Sequence, residues 1–407
     1  MSRPPVTTPE RAGSGLLVLL ALLLTGLTMR VAVTSIGAEL TDLQRGLHIS
    51  SAVAGVLTTL PVIAFAGMGF LAPALAHRLG DHRLVAIALA GATAGLALRV
   101  LAGDVWVFAA LSLLALAGGA IANVLMPSLV KRHFPDRIGP LTAAYTTCLA
   151  IGATAAAGLS VPVAELTGGG WRLGIGCWAV LTAVAVLPWL PTLRHDVPAA
   201  EDGPGRLPIA RIARTRLGWA LAMVFGTQSF QAYVAFGWFA NFFRHNHVAA
   251  AEAGLLVAFY SALSIPISMV IPAVAVRGQR GLVAGLAACG MTSYLGMLLA
   301  PVGGAWLWML LGGIGSGMFP LTLTMIGLRS CQVAVTASLS AFTQGVGYLV
   351  AGTGPLLVGL LLGLTGDDWT WPLVLLVVAN IGSLGFGWYA ASPRLVEDEL
   401  NMPAAQA

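Results

Sequence analysis

Twelve times along the chain, a mostly apolar stretch near the roughly 20 residues needed to cross a bilayer is followed by a short polar connector. The stretches are 14–40, 52–76, 84–103, 105–130, 138–165, 171–192, 216–243, 252–276, 281–300, 305–328, 334–363 and 371–391. A backbone in lipid must satisfy every N–H and C=O group internally, and segments of this length do so as helices. Only 9% of the 407 residues are charged, against roughly 25% in soluble domains. The sequence therefore predicts an all-α integral membrane protein with twelve transmembrane helices embedded in a lipid bilayer. The run behind Arg3 and Arg11 superficially resembles a secretory leader, but it continues too far and lacks a small-residue cleavage site. It reads as an uncleaved first span.

The longest polar connector, 193–215, splits the spans into six and six. The predicted organisation is a first six-helix bundle over 1–192, a cytoplasmic linker over 193–215, a second bundle over 216–391 and a cytoplasmic tail over 392–407. With the N-terminus inside, sixteen Lys and Arg fall on the cytoplasmic side and four on the other. That bias puts both termini in the cytoplasm of a plasma or inner membrane. The halves also echo each other. Leu166-Thr167-Gly168 with Trp171 follows span five, and Leu364-Thr365-Gly366 with Trp369 follows span eleven, 198 residues later. Gly119 with Pro127 is matched by Gly312 with Pro320, eight residues apart in both. Two pseudo-symmetric six-helix bundles are the plan of major facilitator transporters, whose site lies between the halves near the midplane.

Within the first span, one residue conflicts with its surroundings. Arg30 sits in an otherwise apolar helix pattern that continues through Val31, Ala32, Val33 and Ile36. A guanidinium there costs about 3 kcal/mol on insertion scales, and it cannot escape by losing its proton. The carboxylates and histidines all fall in connectors, tails or span ends, so Arg30 reads as the sole mid-depth charge and as an anchor for an anionic or strongly dipolar solute. Proton coupling would use a span-end group such as Glu39, a protonated substrate, or no protein carboxylate at all. A coupling proton and an exchanged anion both stay open as partners.

Helix geometry assigns uncharged groups to the same cavity. Gly26, Arg30, Thr34 and Gly37 share one face of span one, with the glycines expected to clear space for the guanidinium. Gln228, Gln231 and Trp238 share a face of span seven, with Tyr233 pointing elsewhere, and Ser340, Gln344 and Tyr348 form a stripe on span eleven. Asn123 precedes Pro127 by one turn, where the proline frees a backbone carbonyl, and Tyr145 opens span five. Trp106, Trp171, Trp189, Trp219, Trp369 and Trp371 lie at span ends and read as interfacial anchors. The connector between spans two and three carries Arg78, Gly80, Asp81 and Arg83. It partly matches the facilitator signature G-x-x-x-D-R-x-G-R-R and is read as a gating loop, with a topology-setting basic loop as the alternative.

Other classes of function have little to stand on. Cys148, Cys177, Cys289 and Cys331 are scattered without ligand spacing, so neither a metal nor a disulfide framework is expected. An intramembrane transferase needs clustered carboxylates or histidines and an extramembrane domain. No Walker-type phosphate loop is present. No cofactor, enzymatic activity or nucleic-acid partner is predicted, and the chain is expected to act as a monomer.

Several stretches together resemble the cyanate/2-nitroimidazole transporter family of the major facilitator superfamily. They are Met29-Arg30-Val31 through Gly37, Leu57-Thr58-Thr59-Leu60-Pro61, Asn123 through Pro135, Gly170-Trp171-Arg172, Gln228 through Tyr233, and Gln344-Gly345-Val346-Gly347-Tyr348 before Gly354-Pro355. Span one departs from the family's N-L-R-P: Met29 and Val31 flank the arginine, and the proline break beside it is absent. The resemblance implies transport of small anions or compact nitro-aromatic compounds. Export of a drug or metabolite on the same fold, and a receptor that binds without transporting, are the alternatives.

Overall fold

The computed structural model describes residues 9–134, 137–195, 209–275 and 278–400. Arg3, the middle of the 193–215 linker and the last seven residues of the tail lie outside the described residues. Among those described, the chain is helical nearly throughout. Eleven segments are long and apolar enough to cross a membrane, from Gly15–Ala38 to Thr370–Ala390. The twelfth predicted span is the helix Arg216–His245. It is less apolar because Thr227, Gln228, Ser229 and Gln231 sit together at its middle, and nearly its whole circumference is buried by neighbouring helices.

Span one is not the continuous helix its hydropathy suggests. It breaks into Pro9–Thr28 and Val31–Ala38, with Met29 and Arg30 in a turn between them. The Met29 amide reaches back only three residues, to the Gly26 carbonyl at 3.4 Å, and the Arg30 carbonyl accepts from Val33 and Thr34 to start the second helix. No proline makes this break. The neighbouring helices come unusually close instead: a methyl on Gly152 of span five would collide with the Leu27 carbonyl. Spans eight and ten are interrupted too, at Leu263 and at Ser316–Gly317.

The sequence echo corresponds to a structural one. Gly168 and Gly366 end spans five and eleven in the left-handed conformation, with φ of 65° and 68°. Each helix is therefore closed by the same glycine cap. Neither of the tryptophans that follow is exposed. Trp171, Trp189 and Trp369 are buried, whereas Trp106, Trp219 and Trp371 are exposed. Trp189 sits inside because its indole donates to the Thr25 hydroxyl at 2.9 Å.

The residues before the linker and those after it meet along one end of the molecule, which carries the short helix Leu40–Leu47 and is called here the Asp42 end. Arg244, closing span seven, grips Asp42 through two contacts of 2.6 and 3.1 Å. Asn241 donates to Thr41 and Gln44 at 3.0 and 3.2 Å. Ser51 donates to Asp367 at 2.9 Å, and the Trp238 indole to Thr58 at 3.0 Å. Gly37 packs so tightly on span seven that a methyl there would strike the Phe236 carbonyl. Thr59 approaches the Gly352 carbonyl at 3.4 Å, deeper than the contacts just named.

Candidate functional site

Arg30 lies where the broken first span faces the second half of the chain. Its guanidinium carbon is 5.7 Å from the Phe65 ring of span two and 6.0 Å from the Tyr233 ring of span seven. Tyr348 of span eleven stacks on Phe65 at 6.3 Å and meets Phe225 edge-on at 5.2 Å. Rings at these distances present their negative faces to a cation. The Arg30 Nε is nonetheless buried without a hydrogen-bond partner. The Tyr233 hydroxyl comes within reach of the guanidinium but completes no hydrogen bond. Arg30 has no salt bridge to a carboxylate among the described residues. On the Asp42 side, Val33, Ile36, Leu57, Thr58, Pro61, Tyr233 and Gly237 leave a cavity of only about 10 Å³, barely one water.

Several predicted residues have other duties. Gly26 and Gly37 do not clear space for the guanidinium; they are helix contacts, to the Tyr145 carbonyl and the Phe236 carbonyl. Thr34 is fully buried and turns its hydroxyl onto the Arg30 carbonyl, 3.2 Å away. Gln231 is saturated inside the second half: it donates to the Thr227 carbonyl and the Ser383 hydroxyl and accepts from the Tyr294 hydroxyl. Trp238 is a clasp at the Asp42 end rather than a cavity wall. Tyr233, expected to point elsewhere, is the residue of span seven that meets Arg30.

The rest divide. Gln344 donates to Ser340 at 2.8 Å, so the predicted stripe on span eleven exists and leads to Tyr348 beside Phe65. Gln228 makes one long contact, 3.5 Å to the Ser316 carbonyl at the break in span ten. Asn123 is half-buried on span four, and the Pro127 side chain lies outside the described residues. Tyr145 is not at the opening of span five, which starts at Ile138; it belongs to the apolar core of the first half.

The predicted gating loop is a compact turn. Gly80, with φ of 85°, links spans two and three, and Asp81 faces Arg132 of span four at 3.6 Å. Arg78 and Arg83 are exposed. His82 is buried against His133, their Nε2 atoms 2.8 Å apart. Burial, then the charge of His82 and that of Arg132, lowers the His133 pKa to about 4, which keeps the ring neutral.

Arg30 is also not the sole buried charge. Arg99, at the end of span three, is fully buried and donates to the Ala32 carbonyl and the Ser35 hydroxyl at 3.5 and 3.2 Å. Glu39, just past Ala38, is 1% exposed. The sequence places Glu39 at a span end and counts Arg99 among the four basic residues on the non-cytoplasmic side, because hydropathy cannot tell such a residue from one tucked beneath the neighbouring helices. A larger groove, about 570 Å³, lies elsewhere, between Arg214, Arg216, Trp219, Phe386 and Tyr389 towards the linker.

A helical chain with eleven membrane-length apolar segments and a polar twelfth has the plan of a multi-pass membrane protein, and its superfamily and relatives are transporters, not enzymes. The sequence profile of the Major Facilitator Superfamily matches residues 18–355, and the chain belongs to that superfamily. It is 37% identical to the uncharacterized transporter YycB of Bacillus subtilis (strain 168), over 88% of this chain and 90% of that protein. It is 32% identical to the 2-nitroimidazole transporter of Escherichia coli (strain K12), over 94% and 98%. To the cyanate transport protein CynX of the same organism it is 28% identical, over 91% and 97%. Among solved structures it superposes on a bacterial homologue of the human lysosomal transporter Spinster with a TM-score of 0.77 at 15% identity, covering 95% of this chain and 98% of that one.

Proposed function

We propose that the chain is a secondary transporter that moves a small anionic or polar aromatic solute, cyanate-like or nitroimidazole-like, by alternating access, with Arg30 as the anion anchor. The observation that carries this reading is the guanidinium held between the halves among Phe65, Tyr233 and Tyr348, with no carboxylate bound to it among the described residues. An arginine used only for structure finds carbonyls or a carboxylate. This one keeps donors for a ligand, and the aromatic rings suit a flat solute. Relatives named for 2-nitroimidazole and for cyanate support the same solute class.

In this reading the bundles 1–192 and 216–391 rock about the site as a monomer, both termini are cytoplasmic, and the Asp42 end faces away from the cytoplasm. In that case the structure corresponds to a state closed on that outer side, with Arg30 half-buried, and reached from the linker side. Gln228, Gln344 and Tyr348 are the polar groups placed to complete the site. A thermal-shift screen of small anions and nitroheterocycles tests it. Hits raise the melting temperature of the wild type and not of Arg30→Gln, and the same hits are taken up by proteoliposomes of the wild type only. Equal shifts and equal uptake by both proteins would overturn the anchor role.

A further inference from the structure

Glu39 has a chemistry that the anion site does not use. It is the first residue past the crossing segment Gly15–Ala38, and it is 1% exposed. Its Oε1 is buried without any hydrogen-bond partner. The oxygen presses on the backbone of Gly174 in span six, beside the Ser160 carbonyl of span five, where any larger residue would collide with it. An ionised carboxylate with a bare buried oxygen is costly, whereas a protonated one is tolerated.

The surrounding charges do not relieve it. Asp42 and Glu165 act against ionisation, and Arg244 acts for it. Arg244, however, is committed to Asp42 through two contacts, and Asp42 is also approached by Arg45 at 3.7 Å. Cys177 of span six feels the carboxyl as well, and Arg99 of span three stops one turn short, on Ser35. Burial above all, with Asp42 adding, moves the Glu39 pKa from 4.5 up to about 7.

We propose that Glu39 is a proton-binding site of the outer gate: a proton from the solution at the Asp42 end joins its carboxylate as that end closes and returns to the same solution when it opens. This rests on the alternating-access reading above. The site lies beyond Arg99 and Ser35, on the Asp42 side of the anion anchor, so the proton is not carried across with the solute. It sets how readily the gate shuts. The sign follows from linkage. The closed state holds the proton more tightly than an open state with a solvated carboxylate. Closure is therefore fully favoured below the ordinary carboxylate range, and the advantage is lost as pH rises through about 7.

Two measurements on the full-length protein in nanodiscs, without any solute, test this. Infrared difference spectra follow the C=O stretch of a protonated carboxylic acid. The wild type should show a band that titrates near pH 7 and that Glu39→Gln removes. A wild-type band confined to the ordinary range near pH 4.3 would overturn the proposal, whatever the variant does. Spin labels at Leu166 and Leu364, both exposed at the Asp42 end, report closure. The wild type should open as the pH at that end rises from 5 to 9, and Glu39→Gln should stay closed throughout. The same pH-driven opening in both proteins would also overturn it. If instead both proteins hold one fixed label distance while Glu39 still titrates, the proton site stands and alternating access is what fails.

Discussion

Two arginines flank the short helix Val31–Ala38, and they differ in what they touch. Arg99 lies on the side towards its own half, donates to a carbonyl and a serine, and is fully buried. Arg30 lies at the start of the helix, on the side towards the other half, half-buried among aromatic rings; the Nε of both arginines is unpartnered, but only Arg99 donates to a carbonyl through the rest of its guanidinium. Burial depth alone would rank Arg99 as the more suspicious residue. The partners rank them the other way: a carbonyl and a hydroxyl hold the Arg99 cation in place, whereas rings leave that of Arg30 free for a ligand. Residues on the far-half side of this helix should therefore govern transport, and those on the near side should govern little beyond stability.

The largest break in that comparison would come from Arg30→Met. A charged hydrogen bond is worth about 1.5–3 kcal/mol, so kcat/KM for the anionic solute should fall about ten- to a hundredfold in proteoliposomes, with the melting temperature held or raised. Next is Gly37→Ala. Its methyl meets a backbone carbonyl that cannot swing aside, and overpacking of this kind costs about 1–3 kcal/mol. Label distances across the Asp42 end should lengthen and uptake should fall with them. Arg244→Gln comes third. The pair is partly exposed, with side chains 12% and 32% accessible, so after screening it is worth about 1 kcal/mol. The closed-to-open ratio should fall about fivefold at low salt and less at high salt. The smallest change belongs to Arg99→Met. Its partners keep other bonds, Ser35 donating to the Val31 carbonyl at 2.6 Å, so nothing is orphaned. Exchanging an uncompensated buried charge for an apolar chain is often neutral or stabilising. Uptake should stay within about twofold and the melting temperature should not drop. A collapse of transport in Arg99→Met would erase the distinction between the two arginines.

The architecture was largely legible in the sequence because lipid allows few backbone solutions, and the odd arginine was legible because its cost there is high. The site around it was less so, for identifiable reasons. The break at Met29–Arg30 follows from close helix neighbours, and apolar residues on one helix do not encode where others press on them. On span seven, burial on nearly all sides removes the polar face that fixes a helix's rotation. Tyr233 and Trp238 were consequently exchanged in role. The burial of Glu39 and Arg99 is not legible because hydropathy records order along the chain and not depth. The pairing of Asp42 with Arg244 joins residues 202 positions apart, and no local spacing rule connects them.

Much of the contact at the Asp42 end is main chain on main chain. Gly37 meets the Phe236 carbonyl, and Gly55 meets Gly359 and the Pro355 carbonyl. Contacts of this type have no rotamers to sample, so they are either made or broken and cannot be made loosely. Such a seam favours a snap-action barrier with low leakage of water and small ions while the far side is open. It also separates two kinds of inheritance. Residues proposed to line the site, such as Gln228 or Gln344, can drift and retune the cargo, while the watertightness of the wall is kept by positions that have no side chain to change.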